Sequence, residues 1–267
     1  MNICLIGKKS LIAKTLFIFL KKKNSNVRLI DFNQLPKKIK FSTIINCSSK
    51  KNDPKLKNID WDRDVKIAKI ISKQKKSCHF IMISTAKVYG GKKIIKEECN
   101  ICKPLNSYGK HRLNVEEKIK KILSKNYTIL RLSNLANFDI RPNSFSKTFI
   151  NKMLTDLKNN GIIEIPVKKN IKDFIDEKSF CKIIVSVANK KIFGTYNLSS
   201  GIETRVDILA KCIISGFGSG KIIRNSNLIT DNFVLKSKKL FKKINFSINS
   251  KYLIKEFKKL GKKLKYE

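Results

Sequence analysis

Short apolar runs alternate with longer stretches in which apolar residues recur every three or four positions, and this alternation organises the first half of the chain. Residues 2–6 form an apolar run ending on Gly7. Residues 11–20 have helical spacing, and 27–30 form a second run closing on Asp31. A third run, 43–45, ends in Asn46-Cys47-Ser48-Ser49. Helical spacing at Trp61, Val65, Ala68 and Ile71 marks 61–75 and leads into the run 80–83. A further helix opens at Tyr108, after Pro104 and with Asn106 or Ser107 as N-cap, and is followed by the run 128–132. Strand-like runs this apolar, separated by helices, belong to a parallel sheet covered on both faces. The expected fold class is α/β with a doubly wound parallel sheet.

Beyond about residue 137 the rhythm changes. Helical spacing at 145–157, 178–188, 206–214 and 252–260 is interrupted by strand-like runs at 162–166 and 195–198. There is no internal repeat and no long linker. The expected organisation is a dinucleotide-binding region over 1–136. Residues 137–267 are then mainly a small C-terminal substrate lobe, with some segments returning to the first sheet.

Composition changes this picture little. A chain of 267 residues, 42% apolar, can bury a sizeable core. The net charge of +39 invites a nucleic-acid reading, yet only seven of the 59 basic residues are Arg, the side chain suited to bidentate phosphate and base contacts. The lysines are spread over the whole chain. We therefore expect a lysine-coated surface that attracts small anions, with nucleic acid discounted as a partner. The seven cysteines are odd in number and scattered, which fits free thiols in a reducing, cytoplasmic compartment. Cys99 and Cys102 have CxxC spacing but no second pair, so no metal is expected. No apolar run reaches the ~18–20 residues of a membrane span.

Candidate chemistry sits at strand ends. Gly7-x-x-Ser10-x-x-Ala13 lies at the first strand-to-helix junction, with Leu11 and Ile12 in the helix's first turn. Small residues there let the turn approach a pyrophosphate at the helix N-terminus. Asp31, closing the second strand, suits the ribose hydroxyls of an adenosine and repels a 2′-phosphate, favouring NAD while leaving NADP possible. Ser48, after the third strand, is a further cofactor candidate. Ser84-Thr85-Ala86-Lys87-Val88-Tyr89-Gly90 puts a hydroxyl pair at the carboxyl end of a buried strand, where open α/β sheets bind ligands. In Tyr108-Gly109-Lys110-His111-Arg112 the phenol and guanidinium are i and i+4 on one helix face. Hydroxyl, phenol and cation make a proton-transfer site in which the cation favours a phenolate.

Both strings resemble the extended short-chain dehydrogenase/reductases, the NAD-dependent epimerase/dehydratase family. There Ser-(Ser/Thr)-x-x-Val-Tyr-Gly precedes Tyr-x-x-x-Lys; Arg112 stands where that family carries lysine. The resemblance implies that Thr85 orients the reacting oxygen and that Tyr108 is the acid/base. Arg112 would stabilise the phenolate and hold the nicotinamide ribose, and Arg112→Lys would preserve or raise the rate. Arg131-Leu132-Ser133-Asn134 resembles the family's Arg-x-x-Asn, which implies a substrate contact for Asn134. Lys172-Asp173-Phe174-Ile175-Asp176 resembles its Arg-Asp-(Phe/Tyr)-(Ile/Val)-His, with Lys172 in place of the diphosphate-contacting arginine. Gly194-Thr195-Tyr196-Asn197-Leu198 resembles the Gly-x-Tyr-Asn strand that follows.

The implied fold is a Rossmann-type domain with its small lobe, forming a homodimer through residues 61–75 and 108–124. The implied activity is that of an NAD(P)-dependent oxidoreductase or epimerase on a nucleotide-activated sugar, with a 4-keto-sugar reductase favoured. The family's 4,6-dehydratases carry an Asp-Glu pair directly after the catalytic Thr; here those positions are Ala86 and Lys87, which removes that acid/base pair. The alternative is a non-catalytic or weakly active relative that binds a nucleotide or a protein partner because Arg112 replaces the lysine.

Overall fold

The computed structural model describes residues 2–23, 26–48, 59–91, 93–136, 149–228 and 230–266. Through the first half the elements are β1 (Asn2–Ile6), α1 (Leu11–Lys21), β2 (Asn26–Ile30), β3 (Thr43–Asn46), α2 (Arg63–Ser72), β4 (His79–Thr85), β5 (Ile95–Lys96), α3 (Ser107–Leu123), β6 (Tyr127–Leu132) and β7 (Asn134–Ala136). The second half adds α4 (Phe149–Asn160), β8 (Ile162–Pro166), β9 (Ile171–Lys172), β10 (Phe174–Asp176), α5 (Glu177–Asn189) and β11 (Gly194–Leu198). It closes with β12 (Thr204–Arg205), α6 (Val206–Phe217), β13 (Lys221–Asn225), β14 (Val234–Leu235), α7 (Lys238–Ile244) and α8 (Ser250–Lys265).

Six strands form the central sheet in the order β11-β6-β4-β3-β1-β2, and every pairing in it is parallel. Strand alternation feeds two cores at once, because successive side chains point to opposite faces. From β1, Ile3 and Leu5 join Leu16 of α1 and Phe180 and Ile183 of α5 on one face. Cys4 and Ile6 join Val65 of α2 and Val115 and Ile119 of α3 on the other. Because β1 lies between β2 and β3, the chain leaves it first to one side and then to the other. That reversal makes a crevice outside the carboxyl ends of β1 and β3, where sheets of this kind take their ligands.

A third core belongs to the small lobe, where Ile163, Phe174, Leu209, Ile213 and Phe257 pack together. Phe174 and Phe257 meet edge to face with centroids 5.8 Å apart. In this lobe α6 and α8 cross backbone to backbone. A Cβ on Gly216 would lie 2.0 Å from the Lys258 carbonyl oxygen, and one on Gly261 would lie 1.9 Å from that of Ile213.

The chain does not hand over once from sheet to lobe. After β8, β9 and β10 it returns to place α5 against α1 and β11 beside β6, and then leaves again for α6. The turning point expected near residue 137, and the first residues of the helix expected at 145–157, lie outside the described residues; α4 itself runs Phe149–Asn160. Among the described residues no helix is long and apolar enough to cross a membrane. All seven cysteines are free.

Candidate active site

The cofactor candidates converge on the crevice between β1 and β3. Gly7 has φ +119°, and a Cβ there would come within 3.2–3.3 Å of Ser48 Cβ and the Cys47 carbonyl group. Both conformation and closeness therefore call for glycine. Ser10 is the N-cap of α1, Leu11 and Ile12 are partly exposed in its first turn, and Ala13 is fully buried beneath them. No acidic side chain occupies that first turn, so the helix N-terminus keeps its attraction for an anion. Gly7 N–H donates to the Ile30 carbonyl, which brings Asp31 beside the same crevice. Ser48 donates from its backbone and hydroxyl to Asn46 Oδ1, at 3.0 and 2.7 Å. Arg63, which the sequence reading passed over, donates to the Ser48 carbonyl at 2.9 Å and covers the Phe32 ring at 5.3 Å. Only its position one residue into α2 marked it.

The catalytic candidates meet where α3 begins. Asn106 caps that helix by accepting from Gly109 N–H at 2.8 Å. Gly109 lies so close to the turn after β4 that a Cβ would sit 2.2 Å from the Lys87 carbonyl oxygen. This contact brings Tyr108 near Thr85, whose hydroxyl accepts from Lys87 N–H at 3.2 Å. Burial pushes the phenol above its ordinary value of 10. Arg112 and Thr85 pull it down, while Asp64 and Asp62 add to the rise. The net direction is upward, opposite to what the neighbouring cation alone suggested.

Burial sets that sign, and the counter-charges on Arg112 add to it. The Arg112 guanidinium is 1% exposed and donates to Asp64 Oδ2 at 2.8 Å and to the Ile83 carbonyl at 3.1 Å, with Asp62 at 3.7 Å. Asp62 caps α2 by accepting from Asp64 N–H at 2.8 Å and also holds His111 Nε2 at 2.9 Å. Asn46 donates to the second oxygen of Asp64 at 2.7 Å. Burial raises the Asp64 carboxyl against the pull of Arg112. Burial also acts on Asp62, but His111 and Arg112 outweigh it and hold that carboxyl low. The same network links Ser48, through Asn46, Asp64 and Arg112, to the strand that carries Thr85. The one sequence signal for it was an acid at position 64 on the apolar stripe shared with Val65, Ala68 and Ile71 of α2.

The remaining motif residues are held mostly by protein partners. Arg131 grips Glu116 with two nitrogens, at 2.7 and 3.1 Å, and donates to the Tyr89 hydroxyl at 2.9 Å. Tyr89 passes a hydrogen bond on to Asn197 at 2.8 Å. Asn134 donates to the Asp173 carbonyl at 2.8 Å. Lys172, 7% exposed, lies 5.5 Å from the Phe149 and Phe233 ring centres and donates to the Asp231 carbonyl at 2.7 Å. Burial lowers its ammonium against the pull of Asp231. Lys87, two residues past Thr85, takes the Asp231 carboxylate at 2.5 Å. Asp231 therefore joins the end of β4 to the small lobe, a role that no motif announced.

Comparison with known proteins identifies the family and the fold. A family model described as the RmlD substrate binding domain matches residues 28–219. No match is found among curated proteins. Three examples represent the solved structures that are similar along nearly their whole length. A UDP-N-acetylglucosamine 4-epimerase from Methanobrevibacter ruminantium, in complex with UDP-N-acetylmuramic acid, has TM-score 0.81 at 17% identity, covering 98% of this chain and 97% of that one. A dTDP-4-dehydrorhamnose reductase from Clostridium acetobutylicum has TM-score 0.78 at 16% identity and 99% coverage of both chains. A dTDP-glucose 4,6-dehydratase from Bacillus anthracis, in complex with NAD, has TM-score 0.76 at 14% identity, covering 98% and 97%. At these identities the likeness is one of fold, a Rossmann-type α/β architecture.

Proposed function

The chain belongs to the family of the RmlD substrate binding domain, and from that premise we propose that it is an NAD(P)-dependent reductase of a nucleotide-activated 4-keto sugar, with Tyr108 as acid/base. The observation that carries this reading is the placement of Tyr108 beside Thr85 at the carboxyl end of β4, two strands from β1 and its Gly7. The crevice fits a nicotinamide dinucleotide on three features: the close backbone approach at Gly7, the acid-free N-terminus of α1, and Asp31 beside it. Gly7, Ser10, Leu11, Ile12 and Ala13 would hold the pyrophosphate, Asp31 the adenosine ribose, and Ser48 the segment between them. Arg63 adds a cation next to Phe32 and thereby leaves NADP as a second possible cofactor.

A bound dinucleotide would supply a hydride. Thr85 fixes the keto oxygen by hydrogen bonding, and Tyr108 delivers the proton which that oxygen needs as the hydride arrives at the adjacent carbon. Ala86 has no acid/base group, and Lys87 is occupied by Asp231, so the turn after Thr85 offers no carboxyl pair for elimination chemistry. Asn134 and Lys172 are proposed on the sugar-nucleotide side, with Lys172 facing a diphosphate only once Asp231 gives way. A homodimer through α2 and α3 belongs to the same proposal, and light scattering on a sizing column tests it.

The commitment of Arg112 to Asp64 favours a second reading, a relative that binds nucleotide without turnover. One experiment separates the two. The protein is titrated with NADH and NADPH at moderate salt, because so basic a chain attracts any dinucleotide non-specifically. It is then mixed with dTDP-4-dehydrorhamnose and the loss of reduced cofactor is followed. Saturable binding with turnover that Tyr108→Phe abolishes supports the reductase. Saturable binding without turnover on any 4-keto nucleotide sugar supports the second reading, and no saturable binding overturns both.

A further inference from the structure

The phenol of Tyr108 stands next to a cation that already has its counter-charge. Arg112 is held by Asp64 at 2.8 Å and by Asp62 at 3.7 Å, and its remaining terminal nitrogen by the Ile83 carbonyl. With Asp62 alone ionised, Arg112 and the two acids are together neutral; with both ionised they carry a net negative charge. In neither state do these three groups present Tyr108 with a net cation. We propose that Asp62 and Asp64 are positioning residues that hold Arg112 against the N-terminus of α2 and cancel its charge, so that Tyr108 works as a proton donor and not as a base. This inference rests on the reading of Tyr108 as the acid/base group.

Among the described residues, the charged groups acting on the phenol come from two helices. Arg112 comes from its own helix, Asp62 and Asp64 from α2, and His111 acts through Asp62. Thr85 contributes a hydroxyl from the end of β4, while Lys87 from the following turn is paired with Asp231. Burial and the two carboxylates outweigh the guanidinium and the hydroxyl, in the direction that keeps the proton on the phenol.

The consequence is a preferred direction of chemistry. In reduction, the carbonyl carbon accepts a hydride from a reduced nicotinamide, the C=O π pair moves onto the oxygen, and that oxygen takes the Tyr108 proton. The phenolate left behind is reprotonated from water. Oxidation of a sugar hydroxyl needs the phenolate first, to take the hydroxyl proton as hydride leaves the carbon. An epimerase must begin with that oxidation, whereas the forward reaction of a reductase begins with the protonated phenol. The two carboxylates therefore favour the protonation state that starts a reduction over the one that starts an oxidation.

The test is an NMR titration of full-length protein labelled with 13C-tyrosine, using Tyr108→Phe to identify the Tyr108 signal. Asp62→Asn and Asp64→Asn are compared with wild type and with Asp62→Glu. Asn is itself a good N-cap, so Asp62→Asn keeps the start of α2 and decides alone if Asp64→Asn does not fold. Removing one carboxylate should lower the Tyr108 midpoint by about one pH unit, giving about ten-fold more phenolate at fixed pH, and Asp62→Glu should restore it. A midpoint that stays within about 0.3 unit in each Asn variant that folds overturns the inference. No substrate enters this titration, so its failure leaves the reductase reading to stand on turnover. Shifted midpoints in a protein that reduces nothing would refute that reading alone. With turnover in hand, the basic limb of the reduction profile should move down together with the midpoint.

Discussion

Arg112→Lys installs the residue that the resemblance led one to expect, and the geometry predicts that it costs stability. The guanidinium reaches two partners at once, Asp64 at 2.8 Å and the Ile83 carbonyl at 3.1 Å, from a position that is 1% exposed. An ammonium is a single point on a flexible stem and cannot span both from that place. A hydrogen bond to a charged group contributes about 1.5–3 kcal/mol, so losing one of the two should cost about 2 kcal/mol. Removing the cation altogether, as in Arg112→Met, strands Asp64 and should cost more, about 3–5 kcal/mol. For a chain of this size each kcal/mol moves the melting temperature by about 2–4 °C. Thermal unfolding followed by circular dichroism should therefore rank wild type above Lys and Lys above Met, with the Lys variant melting about 4–8 °C lower. A Lys variant that melts at or above wild type would show that the second contact carries nothing, and the reasoning would fail.

Tyr108→Phe should abolish turnover and leave dinucleotide affinity within about two-fold by calorimetry, since only the proton-bearing oxygen is lost. Equal turnover in the mutant would remove Tyr108 from the mechanism. Gly261→Ala would put a methyl 1.9 Å from the Ile213 carbonyl oxygen, so α6 and α8 must separate; a loss of at least about 1–3 kcal/mol in urea unfolding is expected. His79 is 3% exposed, and burial pushes its imidazole down to about 4 from 6.5. Below pH 6.5 the unfolded chain binds a proton that the folded chain refuses. Stability is thus unaffected at pH 7 and falls between about pH 6.5 and 4, by up to about 3 kcal/mol. The urea midpoint of wild type should drop more between pH 7 and pH 4.5 than that of His79→Gln; equal drops would contradict this.

The sheet was legible because its strands are unbroken apolar runs and its helices have regular spacing. Residues 2–6, 43–45 and 128–132 foretell β1, β3 and β6 within two residues at either end. The small lobe was less so. Strand β13 is largely exposed and carries no alternating pattern, and α7 is masked by its lysines. At the site, Thr85, Tyr108 and Gly7 announced themselves through local strings. Arg112 did too, but its partners are 48 and 50 positions earlier in the chain, and no spacing rule connects them. A charge that looked available in one dimension is already balanced in three. The same applies to Lys172, whose counter-ion Asp231 lies on the far side of β11, α6 and β13.

The double return of the chain to its central sheet has an implication for how such proteins can be recombined. Strand β11 and helix α5 come from the second half of the sequence yet complete the layer begun by β1 and α1. A fusion or exchange with a breakpoint near residue 137 would give one parent's β6 the other parent's β11, and would bury α5 against a foreign α1. Neither half would bring its own cover for those apolar faces. Exchanges that keep a single core intact must instead move two separate segments of the lobe together, on either side of 177–198. Substitutions within one segment are therefore more accessible to this architecture than an exchange of halves.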